Sequence, residues 1–260
     1  MMIEPMLLEE VEGKDILSKP WIFQIKENGV RAIIHVKDHK IVGIRNRSNN
    51  PILYCFPELK EDRFDFDTAI LDAEIVVYRN SKSVFYGGID QRRSTPDARR
   101  LRECPASIVL FDIIQLEQEV LINKPYKDRL AILQRYRWGG EIGGRIHLVE
   151  TSMDGLALWD KVVKENHEGV VAKDPNAVYE LGKRSKQYIK VKNYKYVDVV
   201  VEKIEPNPKG TKIFSNVVID DVNISIECQQ AGAFNIGIGD TIRVKYLDIV
   251  GDRLIQPTRF

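Results

Sequence analysis

The stretch FQIKENGVRA (residues 23–32) places a lysine, Lys26, at the end of an apolar run and directly before an Asn-Gly pair. Residues 21–26 alternate in the period-two pattern of a β-strand, and residues 30–36 can supply a return strand. Asn-Gly is a favoured hairpin turn because both residues tolerate positive φ. The pattern therefore predicts a β-hairpin. A second hypothesis makes Lys26 a nucleophile and Gly29 a point of close approach to a phosphate, and this stretch alone leaves both interpretations open.

The composition is that of an ordinary globular protein, with 260 residues, of which 43% are hydrophobic and 30% charged, and a net charge of +1. Nucleic-acid binding cannot be inferred from this near-neutral charge and would need a local basic surface. The cysteines form no CxxC pair, which argues against a zinc site and against a disulfide framework. With no signal peptide and no apolar stretch of membrane-spanning length, we expect a soluble, cytoplasmic protein without a membrane partner.

Strand-like runs and a few helical patterns share the first two-thirds of the chain. Helical periodicity is present in residues 124–137, which begin near Pro125, and in residues 152–166, where Ser152 is a candidate N-cap. Strands and helices that do not alternate regularly are typical of an α+β domain with mixed or antiparallel sheets. The strand-like runs are residues 21–26, 30–36, 40–45, 69–78, 106–113, 168–173 and 187–192.

The character of the sequence changes after about residue 195. From there, short strand-like runs are divided by Pro, Gly and Asn clusters, and no helical pattern is present. Several short strands in so short a stretch are typical of a small all-β barrel such as an OB-fold. The sequence therefore predicts two domains, residues 1–194 and residues 195–260.

Two glutamates interrupt or open apolar strand patterns. Glu74 lies within AILDAEIVVY (69–78), and Glu168 opens the strand pattern of HEGVVAKDP (167–175). A buried carboxylate needs a partner, so a structural salt bridge and a functional contact are both consistent with Glu74. If both carboxylates enter one interior near a lysine, they suit a hard divalent cation such as Mg²⁺. By strand alternation Lys173 points away from Glu168, which makes it a weak candidate.

Basic residues form the remaining patterns. Lys190 and Lys192 share one face of the strand in QYIKVKNY (187–194). If this strand is internal, an anion such as phosphate between the lysines relieves their repulsion; if it is an edge strand, two solvated lysines need no such partner. Two further groups together could form a phosphate-tracking surface. They are Arg92, Arg93, Arg99, Arg100 and Arg102 in the first group, and Lys183, Arg184, Lys186, Lys195, Lys209 and Lys212 in the second.

Taken in order, these segments resemble the covalent nucleotidyltransferase superfamily, and within it the ATP-dependent DNA ligases. The resemblance runs from about Glu4 to the C-terminus, and its motifs occur in the family's order. One KxxG motif alone would be weak, whereas six motifs in order are specific. They are KENGVR (26–31), RNRSNNPILYCFPEL (45–59), LDAEIV (71–76), VLFDII (109–114), EGVVAK (168–173) and YIKVK (188–192).

The resemblance implies the chemistry of a ligase. Lys26 would lose its proton and attack the α-phosphate of ATP, releasing pyrophosphate and leaving a lysyl-AMP phosphoramidate. AMP would then pass to the 5′-phosphate of a DNA nick, and the 3′-OH would displace it. The implied cofactors are ATP and Mg²⁺ or Mn²⁺, and the implied partner is nicked double-stranded DNA, bound by a monomer. The other implied site residues are Gln24 and Phe111 at the adenine, Ile25 as a further cofactor-binding residue, Glu74 at the ribose or the metal, Glu168 at the metal, Lys190 and Lys192 at the phosphates, and Arg31 and Arg47 at the ribose or the nick phosphate.

This sequence departs from the family pattern in three places. Asn28 replaces the acid of the first motif, Ala73 replaces the glycine of LDGE, and no RxDK segment follows DRLIQPTRF (252–260), which resembles the end of a ligase OB domain. The resemblance then predicts slow self-adenylation, while sealing of a pre-adenylated nick persists. The alternatives are an RNA ligase, a capping-type nucleotidyltransferase, or a nick-binding protein that has lost turnover.

Overall fold

The structure is a computed structural model that describes residues 3–136, 144–208, 210–230 and 236–259. It divides into two compact units, Met1–Lys192 and Asn193–Phe260. The helices of the described residues are α1 Ala98–Glu103, α2 Tyr126–Gln134 and α3 Gly155–Lys164, with short 3-10 helices at Asp15–Ser18, Leu53–Cys55, Pro57–Glu61 and Ile89–Arg92. None of these helices is long and apolar enough to cross a membrane.

The first unit is built on two main sheets. One has the strand order β1-β13-β12-β2-β11, and the other has the order β10-β8-β5-β3-β4 with β9 pairing to β8. A short β6-β7 ribbon accompanies them. The strands are β1 Leu7–Val11, β2 Ile22–Ile25, β3 Val30–Lys37, β4 Lys40–Asn46, β5 Ala69–Val76, β6 Tyr78–Arg79, β7 Lys82–Ser83, β8 Ser107–Leu116, β9 Glu119–Val120, β10 Ile146–Leu148, β11 Thr151–Ser152, β12 Gly169–Lys173 and β13 Arg184–Lys192.

The hairpin predicted from FQIKENGVRA is wrong, because its two strands belong to different sheets. β2 pairs antiparallel with β12 and β11, whereas β3 pairs with β4 and β5. A Cβ on Gly29 would lie 2.2 Å from the Ile75 carbonyl oxygen, so glycine is required here for close approach to β5 rather than for a turn. The Asn28 N–H donates to Ser83 Oγ at 2.9 Å. The segment therefore carries the chain from one sheet to the other and leaves Lys26 between them.

Strand β5 explains why the run around Glu74 is almost wholly apolar. Seven of its eight residues are buried, because β5 lies between β3 and β8 and is covered on both faces. Leu71 and Ile75 belong to the largest apolar core, while Ile70 belongs to a second core on the opposite face. Asp72 is also fully buried on this strand. Carboxylates on β5 therefore enter the interior, where each one needs a partner.

The two helices predicted from periodicity are present but shorter. The helix predicted for residues 124–137 is present as α2, Tyr126–Gln134, and residue 137 lies outside the described residues. Helix α3 is capped by Asp154, whose carboxylate accepts from the Ala157 N–H at 2.9 Å, so the prediction of Ser152 as N-cap is wrong. Ser152 Oγ instead accepts from the Asp154 N–H. The serine thus supports the capping residue, and the helix begins at Gly155.

The second unit contains strands and no helix among its described residues. Its sheets have the orders β14-β18-β21 and β15-β16-β17-β20-β19 around a shared apolar core. β16 and β17 form a long hairpin closed by Asp220 and Asp221, whose φ values of 48° and 64° are those of a type I′ turn. The strands are β14 Lys195–Val200, β15 Lys203–Asn207, β16 Gly210–Ile219, β17 Val222–Gln230, β18 Thr241–Tyr246, β19 Asp248–Val250, β20 Arg253–Ile255 and β21 Thr258–Arg259.

Candidate active site

A pocket in the first unit collects residues that are far apart in the sequence. Strands of both main sheets contribute to it, because the chain crosses between the sheets next to Lys26. Apolar and aromatic side chains share its walls with converging charged and amide groups, a combination that suits a small polar molecule with an aromatic part. The residues that line it are Leu8, Gln24, Ile25, Lys26, Glu27, Arg31, Glu74, Phe111, Val149, Val171, Lys173 and Tyr188.

Lys26 is held at this pocket by its backbone and by its side chain. Its N–H donates to the Gly169 carbonyl at 2.9 Å, directly after β2. Its Nζ donates to Glu168 Oε2 at 2.6 Å, and the two side chains are 19% and 9% exposed. The amine is therefore oriented by a carboxylate on the neighbouring strand connection and remains accessible from the pocket.

Glu74 approaches the same lysine from β5. Burial raises the pKa of Glu74 to about 7, against the opposing effect of the Lys26 and Arg31 cations. The Glu168 and Asp72 carboxylates raise this pKa further. Two carboxylates that disfavour each other's charge thus flank one amine. In the part of the chain that the structure describes, no third His, Cys, Asp or Glu joins them in a metal-binding cluster.

Lys190 and Lys192 lie on β13, which is internal because it pairs with β1 on one side and β12 on the other. The anion between them is a protein carboxylate: Glu10 Oε2 lies 2.9 Å from Lys190 Nζ and 3.4 Å from Lys192 Nζ. Burial lowers the pKa of Lys192; Glu10 opposes this change, and the Lys190 cation adds to it. Neither lysine lines the pocket, but Lys26 and Glu168 both act electrostatically on Lys192. Lys192 therefore lies within electrostatic range of the amine, and Lys190 precedes it by two residues on the same strand.

Phe111 lines the pocket, and the Arg31 guanidinium lies 4.8 Å from the centre of its ring. Arg31 donates to both Asp72 oxygens at 2.5 Å and to the Met6 carbonyl at 3.2 Å. Most of its donors are thus used inside the protein. Arg31 supports the ring from within the wall, and only part of its guanidinium can reach a ligand.

Arg47 is not brought into the pocket. It is exposed in the turn after β4, whose Asn46 Oδ1 accepts from the Ser48 and Asn50 N–H groups. In the basic groups, the prediction that Arg92 faces nucleic acid is wrong, because Arg92 is 2% exposed and makes a two-pronged pair with Glu58 at 2.7 and 2.8 Å. The remaining described arginines of that group, Arg93, Arg99, Arg100 and Arg102, are exposed. Lys209 lies outside the described residues.

Lys173, a weak candidate by strand alternation, is 2% exposed and lines the pocket. Its Nζ donates to the Phe111 carbonyl at 3.0 Å and lies 4.3 Å from the Tyr126 ring centre. Burial lowers the pKa of Lys173 to about 7, although Asp112 and Asp72 oppose the shift. Alternation had been counted from Glu168, which precedes β12 and does not itself line the pocket.

Comparison with known proteins gives one consistent result. Residues 5–192 match the model of a family described as ATP dependent DNA ligase domain. The SPbeta prophage-derived DNA ligase-like protein LigB of Bacillus subtilis is 28% identical over 203 residues, which cover 77% of this chain and 71% of LigB. The multifunctional non-homologous end joining protein LigD of Mycolicibacterium smegmatis is 32% identical over 199 residues, covering 76% of this chain but only 24% of LigD.

Solved structures share the fold. The ligase domain of M. tuberculosis LigD superimposes with a TM-score of 0.61 at 17% identity, covering 98% of this chain and 93% of that domain. A Lig E DNA ligase, described as binding DNA with a minimal scaffold, gives a TM-score of 0.69 at 15% identity. The superposition covers 100% of this chain and 99% of the Lig E chain. The α+β class predicted for the first unit, with mixed sheets and few helices, is confirmed.

Proposed function

The chain belongs to the family of ATP-dependent DNA ligases, and we propose that it seals nicks in duplex DNA through a lysyl-AMP intermediate on Lys26. One observation carries the proposal: the Lys26 amine, held by Glu168 at 2.6 Å, opens into the pocket that Gln24 and Phe111 also line. A nucleophile, a polar group for a base edge and an aromatic ring thus meet in one small-molecule site. A nick-binding protein would need the ring and the cations but not an oriented amine.

In the first step, the neutral Lys26 amine attacks the α-phosphorus of ATP. The N–P bond forms while the bond to the bridging oxygen breaks, pyrophosphate leaves with that oxygen, and one amine proton passes to solvent. Lys190 and Lys192 lie close enough to stabilise the negative charge that moves onto the phosphate oxygens, once their Glu10 contact is exchanged for phosphate. Glu10 thus occupies the position that we assign to a phosphate group.

In the later steps, the phosphoramidate is consumed on DNA. A 5′-phosphate oxygen at the nick attacks the AMP phosphorus, the N–P bond breaks, and Lys26 recovers its amine. The 3′-OH then attacks the DNA 5′-phosphorus, so that the phosphodiester forms and AMP leaves. Arg47, which lies outside the pocket, is proposed to contact the nick phosphate rather than the nucleotide.

Glu168 and Glu74 fit a divalent cation. Both act on Lys26, and the proximity of the Glu168 carboxylate raises the pKa of Glu74, a repulsion that a cation would relieve. Phosphate and water oxygens would complete the coordination, because Mg²⁺ is commonly held by one or two carboxylates together with substrate phosphates. Such an ion would supply Lewis-acid stabilisation of the phosphate charge.

We propose that the second unit is an OB-fold domain, so that the chain comprises an adenylation domain of residues 1–194 and an OB domain of residues 195–260. Support comes from its two small antiparallel-rich sheets around one apolar core. A monomer that binds nicked duplex is proposed to hold the phosphate backbone through exposed arginines such as Arg93 and Arg100.

The proposal is tested with a 5′-labelled nicked duplex, ATP and Mg²⁺, with conversion to the sealed strand read on a denaturing gel. A second arm supplies the same nick already adenylated and omits ATP. Sealing in both arms supports the whole reaction, and sealing in the second arm alone assigns the chain to the last step only. Failure in both arms would contradict the ligase function.

Lys192→Met is expected to slow lysyl-AMP formation roughly 10²-fold, because it removes one preorganised cation behind the reacting phosphate while keeping the apolar stem. The measurement is the initial rate of protein labelling from α-phosphate-labelled ATP. The matched control is Lys186→Met on the same strand, where the side chain is exposed. Equal rates in the two variants would contradict a role for Lys192 at the phosphate.

Arg100→Ala is expected to reduce the salt slope of nicked-duplex binding by about 1, since one phosphate contact and its released counterion are lost. The measurement is log Kd against log salt concentration by fluorescence anisotropy. Lys60→Ala, at an exposed position on the 3-10 helix Pro57–Glu61, is the control. An unchanged slope in Arg100→Ala would remove this arginine from the DNA-binding surface.

A further inference from the structure

The hydrogen bonds around Gln24 determine which end of its amide faces the pocket. Gln24 is 2% exposed, and its Nε2 donates to the Tyr126 hydroxyl at 2.6 Å and to Thr151 Oγ1 at 3.3 Å. Among the described residues, none donates a hydrogen bond to Gln24 Oε1. The amide nitrogen is thus directed into the protein, and the carbonyl oxygen is left for the pocket.

Both hydroxyl groups that accept hydrogen bonds from Gln24 donate their own protons to other acceptors. The Tyr126 hydroxyl donates to the Phe111 carbonyl at 3.0 Å, and Thr151 Oγ1 donates to the Val149 carbonyl at 3.0 Å. Each hydroxyl has a single proton, so each presents only lone pairs to Gln24. If the amide were reversed, Oε1 would face two acceptors, or both hydroxyls would have to give up their carbonyl partners. The observed orientation is therefore the favoured one.

The two hydroxyls are themselves held in place. Thr151 lies directly opposite Gln24 in the β2–β11 pair. Tyr126 is fully buried at the start of α2, with its ring edge-to-face against Tyr188 at 5.6 Å between centres. Burial raises the pKa of Tyr126, so its hydroxyl keeps the proton that it donates. Gln24 is thus fixed by groups from a second strand and from a helix.

We propose that Tyr126 and Thr151 are positioning residues that present Gln24 Oε1 to the nucleotide and thereby set a preference for adenine over guanine. The inference rests on the proposed function, in which this pocket binds ATP beside Lys26. Adenine carries an amino donor on its six-membered ring, where guanine carries a carbonyl acceptor. An amide oxygen accepts from the first and repels the second, whereas a reversed amide would do the opposite. A carboxylate in this position would accept in either orientation and would need no such support.

The test compares protein labelling from ATP and from GTP, each labelled at the α-phosphate. Wild type, Tyr126→Phe, Thr151→Val and the double variant are assayed at equal nucleotide concentrations. We expect the ATP-to-GTP rate ratio of the double variant to fall at least tenfold, with GTP labelling rising in absolute terms. A merely structural role would lower both rates and leave the ratio unchanged. Lys173 still donates to the Phe111 carbonyl in these variants, so that acceptor keeps a partner.

The same hydroxyl changes are then made in a Gln24→Glu background. The carboxylate accepts in either orientation, so removing the hydroxyls is expected to leave the ratio unchanged there. A ratio that stays at the wild-type value in Tyr126→Phe/Thr151→Val with Gln24 present overturns the inference, although the ligase function stands. If wild type acquires no label from either nucleotide, the lysyl-AMP step of the proposed function fails first and the inference falls with it. Thr151→Val alone keeps the test decisive if the buried Tyr126 change impairs folding.

Discussion

Lys26→Ala is expected to abolish covalent labelling by ATP labelled at its α-phosphate, to below the detection limit of a denaturing gel. Without the amine, no N–P bond can form, and the remaining cations can only bind the nucleotide. The wild-type protein should yield a band at the mass of the chain that resists boiling in detergent. Lys60→Ala, at an exposed surface position, should label like wild type.

Lys26→Arg separates the nucleophile from the ion pair. An arginine can keep a positive charge against Glu168, which accepts from Lys26 at 2.6 Å, but a guanidinium does not lose its proton in proteins. We therefore expect no label in this variant either, with a folded protein by circular dichroism. Both variants should still seal a pre-adenylated nick, because the last step does not use the amine. Labelling of Lys26→Arg at the wild-type rate would assign the nucleophile to another residue.

The sequence could predict that several of the candidate residues meet in one pocket, but it could not predict what surrounds them. Phe111 follows Gln24 and Lys26 by 87 and 85 residues, yet their motifs indicated one pocket, and the structure brings them together. The motifs specify only the types of residues and their order along the chain. Nothing in it indicated that Glu10, from the first strand, would lie between Lys190 and Lys192.

Local patterns failed where tertiary packing overrode them. The Asn-Gly pair is a strong hairpin signal, but Gly29 is required because β5 passes too close for any side chain. Alternation of side chains made Lys173 a weak candidate because it pointed away from Glu168, but Glu168 was counted as part of a strand that begins one residue later. Both errors come from applying the geometry of regular strands at a strand end, where the geometry no longer holds.

The buried ionic network beneath the pocket was not predictable from local pattern, since its members lie on three separate elements. Arg129 on α2 donates to both Asp112 oxygens at 2.8 and 3.1 Å and to the Tyr188 hydroxyl at 2.6 Å. Both ionic side chains are fully buried. The Arg129–Asp112 pair joins α2, which carries Tyr126, to β8, which carries Phe111. The hydrogen bond from Arg129 to Tyr188 adds β13 to this network. The network thereby supports the wall of the pocket, although Arg129 and Asp112 do not themselves line it.

Asp112→Asn is expected to lower the free energy of unfolding by about 3–5 kcal/mol at pH 7, because it leaves the Arg129 charge buried without its counter-ion. The measurement is urea unfolding followed by circular dichroism. Burial raises the pKa of Asp112, but the Arg129 pair and hydrogen bonds outweigh that effect and lower it overall. The contribution of the ionised carboxylate is therefore present above its unfolded-state pKa of about 4 and is lost as pH falls through the lower folded-state value. Wild type and variant should accordingly converge only in acid.

Two further variants separate an uncompensated charge from a general packing defect. Asp128→Asn, at an exposed position on α2, should change stability by less than about 0.5 kcal/mol. Asp112→Leu combined with Arg129→Met removes both charges. The double variant should lower the free energy of unfolding far less than the sum of the two single changes, because most of the loss in each single variant comes from the buried charge that is left without its partner. Additive losses would mean that packing, rather than pairing, is what Asp112 and Arg129 supply. In that case the network would fill space beneath the pocket, and its charges would not be needed to hold Tyr126 and Phe111 in register.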